Sequence, residues 1–229
     1  MKTFQDLQEG LNDPNIFKAF FLAGGPGSGK SYVVRKTTGG SGLKIVNSDD
    51  AFEKYLKDAG ISMKMSTDDP RRDEVRDKAK RITKARQTNY VEGRLGLIID
   101  GTGKDYDKIA KQSIQLRQLG YDTHMIFVNT SLDVALERNT KRDRSVPEDI
   151  AVRSWKAVQS NIGKFSQHFR QNFVVVDNND ADIKDPQIFN DVFKQIKGLL
   201  KKKVKSPIAK QWVMQQMKDR GITRMPKGF

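Results

Sequence analysis

The sequence predicts an α/β chain: a five-stranded parallel sheet with helices on both faces, followed by a basic helical tail. Three observations point there. Apolar runs of strand length alternate with helical patterns, as successive βαβ units require. Those runs are almost continuously apolar, the pattern of strands buried on both faces. The length, 229 residues with 36% hydrophobic and 31% charged, is about one and a half times a ~150-residue domain. That is enough for one large core, assigned to residues 1–200, with residues 201–229 as the tail, and disorder is not expected.

The strands are placed at 16–23, 43–47, 95–99, 124–128 and 173–176. Helical periodicity fills the intervals at 30–37, 50–59, 69–91, 107–119, 132–140, 148–169 and 186–203. Gly39-Gly40-Ser41-Gly42 and Gly60 are breakers. Ser145-Val146-Pro147-Glu148 reads as a capping box, with Pro147 in the first helical turn. No internal repeat is visible. No apolar run approaches the ~18–20 residues that span a bilayer. The N-terminal MKTFQDLQEG lacks an apolar signal core, so a cytoplasmic protein with no membrane partner is expected. The absence of cysteine excludes disulfides, thiolate metal sites and cysteine nucleophiles.

Charge is unevenly placed. From Lys194 to Phe229 there are eleven Lys/Arg and one acid, +10 of the total +14. Such an excess suits a polyanion, because each neutralised phosphate releases counterions. In the same stretch Ile208, Trp212, Val213 and Met217 form a more amphipathic pattern.

The chemistry concentrates after the first strand, in Gly24-Gly25-Pro26-Gly27-Ser28-Gly29-Lys30-Ser31, which fits G-x-x-x-x-G-K-[ST]. Gly25, Gly27, Ser28 and Gly29 would let backbone N–H groups converge on a β-phosphate at the positive end of the next helix. Lys30 would reach the β and γ oxygens of ATP, and the Ser31 hydroxyl would ligate Mg²⁺. Val46-Asn47-Ser48-Asp49-Asp50 places carboxylates at a carboxyl strand end, where open α/β sheets bind ligands. Asp49 can take a proton from an attacking hydroxyl, with Asp50 capping the helix or facing the acceptor. Leu97-Ile98-Ile99-Asp100 puts a second acid at a buried strand end, a metal-side candidate. Arg138, Lys141, Arg142 and Arg144 form a cationic segment suited to closing over a polyphosphate and excluding water. By position, Arg138 and Arg142 are its expected contacts. Trp155 and Trp212 could stack bases but suit packing as well, and His124 and His168, without ligand spacing, read as structural.

Taken together, these motifs resemble the kinase domain of phage polynucleotide 5′-kinases. The likeness runs over residues 18–170 and includes Asn47-Ser48-Asp49-Asp50, Arg138-Asn139-Thr140-Lys141-Arg142 and Val146-Pro147. The wider group holds zeta-toxin kinases and phage hydroxymethyluracil-DNA kinases. The resemblance implies an adenylate-kinase-like P-loop fold, ATP and Mg²⁺ held by Lys30 and Ser31, Asp49 as general base, Arg142 as the lid arginine, and a phage-encoded protein in the host cytoplasm. It also marks a departure. The arginine that follows the base by three residues in polynucleotide kinases, and helps hold the acceptor strand, is here Phe52. An aromatic there could stack on a nucleobase, or pack the helix onto the sheet.

Three functions follow, in order of preference. The first is an ATP-dependent kinase acting on a nucleic-acid hydroxyl, of DNA above all: a 5′-OH or a hydroxymethyl group on a modified base. The second is a kinase of the same fold acting on a nucleotide or nucleotide sugar. The third is a slowly hydrolysing nucleotide switch.

Overall fold

A computed structural model describes residues 10–63, 69–141, 145–179, 186–226 and 228–229. The five strands are β1 (Lys18–Ala23), β2 (Lys44–Val46), β3 (Leu97–Asp100), β4 (Asp122–Asn129) and β5 (Phe173–Asp177). They form one parallel sheet in the order β2-β3-β1-β4-β5. All six residues of β1 are buried. Phe20 of β1 lies between Ile98 and His124, so the central strand is apolar on both faces because both are covered.

The helices are α1 (Lys30–Thr38), α2 (Ser48–Asp58), α3 (Arg71–Glu92), α4 (Tyr106–Gln118), α5 (Leu132–Thr140), α6 (Glu148–Ser160), α7 (Ile162–Phe169), α8 (Pro186–Lys201) and α9 (Pro207–Asp219). Alternate side chains of the strands enter opposite cores. Phe21, Met125 and Phe127 join Leu116, Phe165 and Phe169 on one face, while Phe20, Ile98 and Ile126 join Val33, Ile196 and Leu199 on the other. A third, small cluster of Phe52, Leu56, Ile61 and Ala79 holds α2 against α3.

Several expectations are corrected. The single helix over 148–169 is two helices broken at Asn161. Its buried side chain turns out of the helix axis and donates from Nδ2 to the carbonyls of Gly103 (3.1 Å) and Lys104 (3.0 Å). The Ser145 capping box does not form. Pro147 is itself the N-cap of α6, with φ −49° and ψ 140° and no side-chain cap, so Ser145 sits too far upstream. That segment is held instead by Asn139, which is buried, donating to the Val146 carbonyl (2.7 Å) and accepting from its N–H (3.1 Å). Strand β1 begins at Lys18 instead of residue 16 because Phe17 adopts φ 60°, a turn conformation costly for a non-glycine residue.

Residues 201–229 do not stand apart from the core. Val204, Ala209 and Val213 are buried in the cluster built around Phe21 and Phe127. Phe17 meets Trp212 edge-on at 5.5 Å and Phe229 at 6.0 Å. Ala209 lies so close to Gly120, at φ 98°, that a Cβ there would overlap its backbone. Phe17 directly precedes β1 and Gly120 stands two residues before β4, so α9 packs at the amino ends of the strands. His124 is buried and stacks on Phe20 at 4.8 Å. Desolvation first, with Lys18, Lys202 and Arg117, pushes its pKa down to about 3. Among the described residues no helix is long and apolar enough to cross a membrane.

Candidate active site

The strand order reverses at β1, and the glycine-rich loop leaves its carboxyl end, at the topological switch point where open α/β sheets bind ligands. The loop is wedged between two elements. At Gly27, φ 75°, a Cβ would overlap the Ala135 carbonyl of α5. At Gly29, φ 83°, the N-cap of α1, a Cβ would overlap the Asn178 side-chain amide. Only glycine meets both demands, left-handed backbone and no side-chain volume. Asn178, itself 4% exposed, donates from Nδ2 to the Ser28 carbonyl at 2.8 Å. Gly25 sits against Trp155, whose indole N–H donates to the Thr130 carbonyl at 2.9 Å. Lys30 is folded back over the loop and donates from Nζ to the Gly24 carbonyl (2.5 Å) and the Gly25 carbonyl (3.3 Å). Ser31 is exposed on the first turn of α1.

Two acids follow the carboxyl ends of the neighbouring strands: Asp100 ends β3 and feels the charge of Lys30, and Asp49 follows β2. Asp49 lies in the first turn of α2, directly after β2. The cap of that helix is Asn47, not Asp50: its Oδ1 accepts from the Asp49 N–H at 2.7 Å. The Asn47 Nδ2 donates to Asp100 Oδ2 (3.0 Å) and to Asp50 Oδ1 (3.1 Å). One amide therefore ties the start of α2 to the end of β3. Desolvation raises the Asp100 pKa above its ordinary value; Lys30 opposes the rise, and Asp49 and Asp50 add to it. Asp50 is raised as well, by desolvation and then by Glu53 and Asp49, against Arg35.

Arg76 of α3 donates from Nη1 to Asp49 Oδ1 at 2.6 Å. Its guanidinium lies over the Phe52 ring at 4.8 Å, with that of Arg72 at 5.8 Å. Phe52 is 7% exposed in the α2–α3 cluster, so its ring packs the helices and its face carries arginine. This geometry takes the packing alternative for Phe52 and leaves little ring for a base. The exposed side of Phe52 is thus covered by Arg72 and Arg76 of α3.

Arg138, in the last turn of α5, donates from Nη1 to the Asn178 carbonyl at 2.7 Å. Because the same Asn178 holds the loop at Ser28, Arg138 is anchored beside the phosphate cradle. Arg142 lies outside the described residues. Arg138 thus stands beside Gly25, Gly27, Ser28, Gly29, Lys30 and Ser31 through Asn178, and Asp100 feels the charges of Lys30 and Asp49.

Ser31 and Asp100 supply hard oxygen donors of the kind magnesium prefers. Among the described residues no group of three or more His, Cys, Asp or Glu could hold a metal unaided. This suits Mg²⁺, which commonly takes one or two carboxylates and completes its shell with phosphates and water. The desolvated Asp100 carboxyl is the kind of group a cation would stabilise.

Sequence reasoning assigned nothing to Arg76, Asn178 or the bridging amide of Asn47. Asn47 was visible as part of its motif. Arg76 and Asn178 lie 27 and 150 residues from the groups they hold, with no local signal.

A parallel sheet in this order, with a lysine-bearing glycine loop on its central strand and carboxylates on the adjacent strand ends, defines a P-loop kinase. The chain belongs to the zeta toxin family, whose profile matches residues 5–186. Solved structures agree on the fold. One from the PezAT chromosomal toxin–antitoxin system of Streptococcus pneumoniae matches with TM-score 0.55 at 16% identity, over 88% of this chain and 99% of that one. A kinase candidate from Chloroflexus aurantiacus matches with TM-score 0.53 at 14% identity, over 81% and 97%. A chain of the Pnkp1/Rnl/Hen1 RNA repair complex matches with TM-score 0.51 at 20% identity, over 66% and 47%. The fold is one that binds ATP, and a complex with ATP is among the similar structures. No curated protein sequence matches the chain.

Proposed function

We propose that the chain transfers the γ-phosphoryl group of ATP to a hydroxyl carried on nucleic acid, either a DNA 5′-hydroxyl or the hydroxymethyl group of a modified base. The observation that carries this reading is the Asp49–Arg76 pair at 2.6 Å. It joins the proposed proton acceptor, on α2, to a helix, α3, that holds eight Lys/Arg against four acids. The acceptor side is therefore cationic independently of the ATP cradle.

In this reading the loop N–H groups and Lys30 grip the β- and γ-phosphates. Asp49 accepts the proton of the attacking hydroxyl as its oxygen bonds to the γ-phosphorus. The bridging oxygen then leaves with its electron pair on ADP. Arg138, fixed beside the loop, and Arg142 stabilise the charge spread over the transferring group. Ser31 and Asp100 would hold Mg²⁺, which neutralises phosphate charge when bound. Arg76 holds the Asp49 carboxylate in place, and Asp50 and Phe52 shape the acceptor side at one remove.

One observation favours the alternative, a small-molecule acceptor such as a nucleotide or nucleotide sugar. The +10 segment 194–229 includes α9, which packs at the amino ends of the strands. A six-residue strand, β1, separates those ends from the phosphate loop, roughly 20 Å at ~3.3 Å per residue. The tail would then meet only distal parts of a nucleic acid. The deciding experiment offers γ-labelled ATP with 5′-hydroxyl DNA and RNA, hydroxymethyl-base DNA, nucleosides and nucleotide sugars. Label on a nucleic acid is expected; label confined to a free nucleotide or sugar refutes the proposal.

A further inference from the structure

A cavity of about 300 Å³ opens between α3 and α4, at the carboxyl ends of β1, β2 and β3. Its floor is apolar, formed by Phe21, Val46 and Ile99. Besides Ser48 and Thr102, its neutral polar lining includes three helix side chains: Thr83 and Gln87 from α3, and Gln112 from α4. All three are half-buried, and among the described residues none has a hydrogen-bond partner. Asp100 sits on the wall nearest the phosphate loop and feels the charges of Lys30, Asp49 and Asp50. Exposed Lys104 and Lys108 also line the cavity, with Asp105, which caps α4, between them in sequence.

The helical periodicity explains the lining. Arg76, Thr83 and Gln87 fall at i, i+7 and i+11 on one stripe of α3, and Lys108 and Gln112 at i, i+4 on α4. The stripe that delivers Arg76 to Asp49 therefore also delivers an amide and a hydroxyl to the cavity.

We infer that this cavity binds the single nucleoside that carries the reacting hydroxyl, with its base on the Phe21–Ile99 floor and its polar edge read by Gln87 and Gln112. The inference rests on the nucleic-acid reading above and names what that site recognises. A primary amide offers a donor pair and an acceptor on one planar edge, the complement of a nucleobase edge. An apolar floor with a few convergent polar groups is the usual construction of a small-ligand pocket, and this volume lies at the bottom of the common range of about 300–1,000 Å³. It suits one base and its sugar better than a nucleotide sugar with a second ring. Lys104 and Lys108 suit the phosphate that follows that nucleoside.

The test uses the full chain with γ-labelled ATP and 5′-hydroxyl oligodeoxynucleotides that are identical except for the terminal residue: each of four bases, or an abasic sugar. The wild-type protein is expected to show a ~10–100-fold higher acceptor KM for the abasic end, the effect of losing one or two base-edge contacts. It is also expected to discriminate among the four bases. Gln87→Leu and Gln112→Leu should each level that discrimination, with the ATP KM and the melting temperature held. Equal use of abasic and base-bearing ends by the wild-type protein would overturn the pocket assignment and leave nucleic-acid phosphorylation standing, and this comparison needs no variant to fold. Label found only on free small molecules would remove the acceptor reading itself, and the inference with it.

Discussion

Asn47 offers the sharpest perturbation of the site, because two of its functions separate by substitution. Its Oδ1 caps α2 through the Asp49 N–H at 2.7 Å, and its Nδ2 bonds Asp100 at 3.0 Å and Asp50 at 3.1 Å. Asn47→Ala removes both functions, costing about 1 kcal/mol for the cap and ~1.5–3 kcal/mol for a hydrogen bond to a charged group. Asn47→Asp keeps a cap of equal quality but replaces the donor by a carboxylate. At the 3.0 Å spacing of this bond, two unit charges in an effective dielectric of ~20 repel by about 5 kcal/mol before relaxation. The relief is protonation of Asp100, whose pKa is already raised by desolvation and by Asp49 and Asp50.

Asn47→Asp should therefore retain α2 by circular dichroism and melt near the wild type at acid pH. Its transfer activity should require a pH about one to two units higher, since each unit corresponds to ~1.4 kcal/mol. Asn47→Ala should lower stability and displace the profile in the same direction but less, because it removes the donor to Asp100 without adding a second charge. The assay is label transfer across pH beside thermal melts of both variants. An unchanged pH profile for Asn47→Asp would refute the coupling between α2 and Asp100.

Three further outcomes are expected. Lys30→Ala should abolish transfer while the melting temperature stays within a few degrees, because Lys30 bonds loop carbonyls and not core groups; retained activity would remove the phosphate-loop assignment. Asp100→Asn should stabilise the ligand-free fold at neutral pH. A carboxyl with a raised folded pKa binds more protons folded than unfolded, so stability falls as pH rises from the ordinary value of 3.8 through the folded one. The variant lacks that fall and should melt higher at pH 7, by ~2–4 °C per kcal/mol for a chain of this size. The gap should close below pH 3.8, and an equal gap at every pH contradicts the reasoning. Deleting residues 201–229 should unfold the protein, since Val204, Ala209 and Val213 are core. Neutralising Lys201, Lys202, Lys203 and Lys205, all exposed, should instead leave the melt intact and reduce the salt dependence of binding to long nucleic acids. No change in that dependence removes the tail from the acceptor surface.

What could be read from the sequence was local in origin. Strand β1, the loop and α1 announce themselves within fourteen residues, because an apolar run, a glycine cluster and a lysine are contiguous. Asp49 and Asp100 were recoverable because each ends an apolar run, and the parallel sheet forces such ends together. Arg76 and Asn178 were not, since their partners are set by how α3 and β5 return to the sheet. Asn161 defeated the helix reading because its side chain found better acceptors in the 103–104 loop than its backbone found in a continued helix. The tail misled through composition. Its lysines dominate the charge count, while the smaller apolar set of Val204, Ala209 and Val213 decides where it packs. Phe52, a stacking candidate on the sequence, is buried by α3, a helix whose charged sequence and weak apolar stripe gave little warning that it covers anything.

The most direct measurement compares single-turnover phosphoryl transfer by the wild-type protein and Asp49→Asn, with ATP affinity measured in parallel. Loss of a positioned base predicts a ~10²–10⁴-fold fall in the chemical step, with ATP bound as tightly as before. Transfer at the wild-type rate, or a defect confined to ATP binding, would contradict a carboxylate that deprotonates the acceptor and would move Asp49 to the nucleotide side of the site.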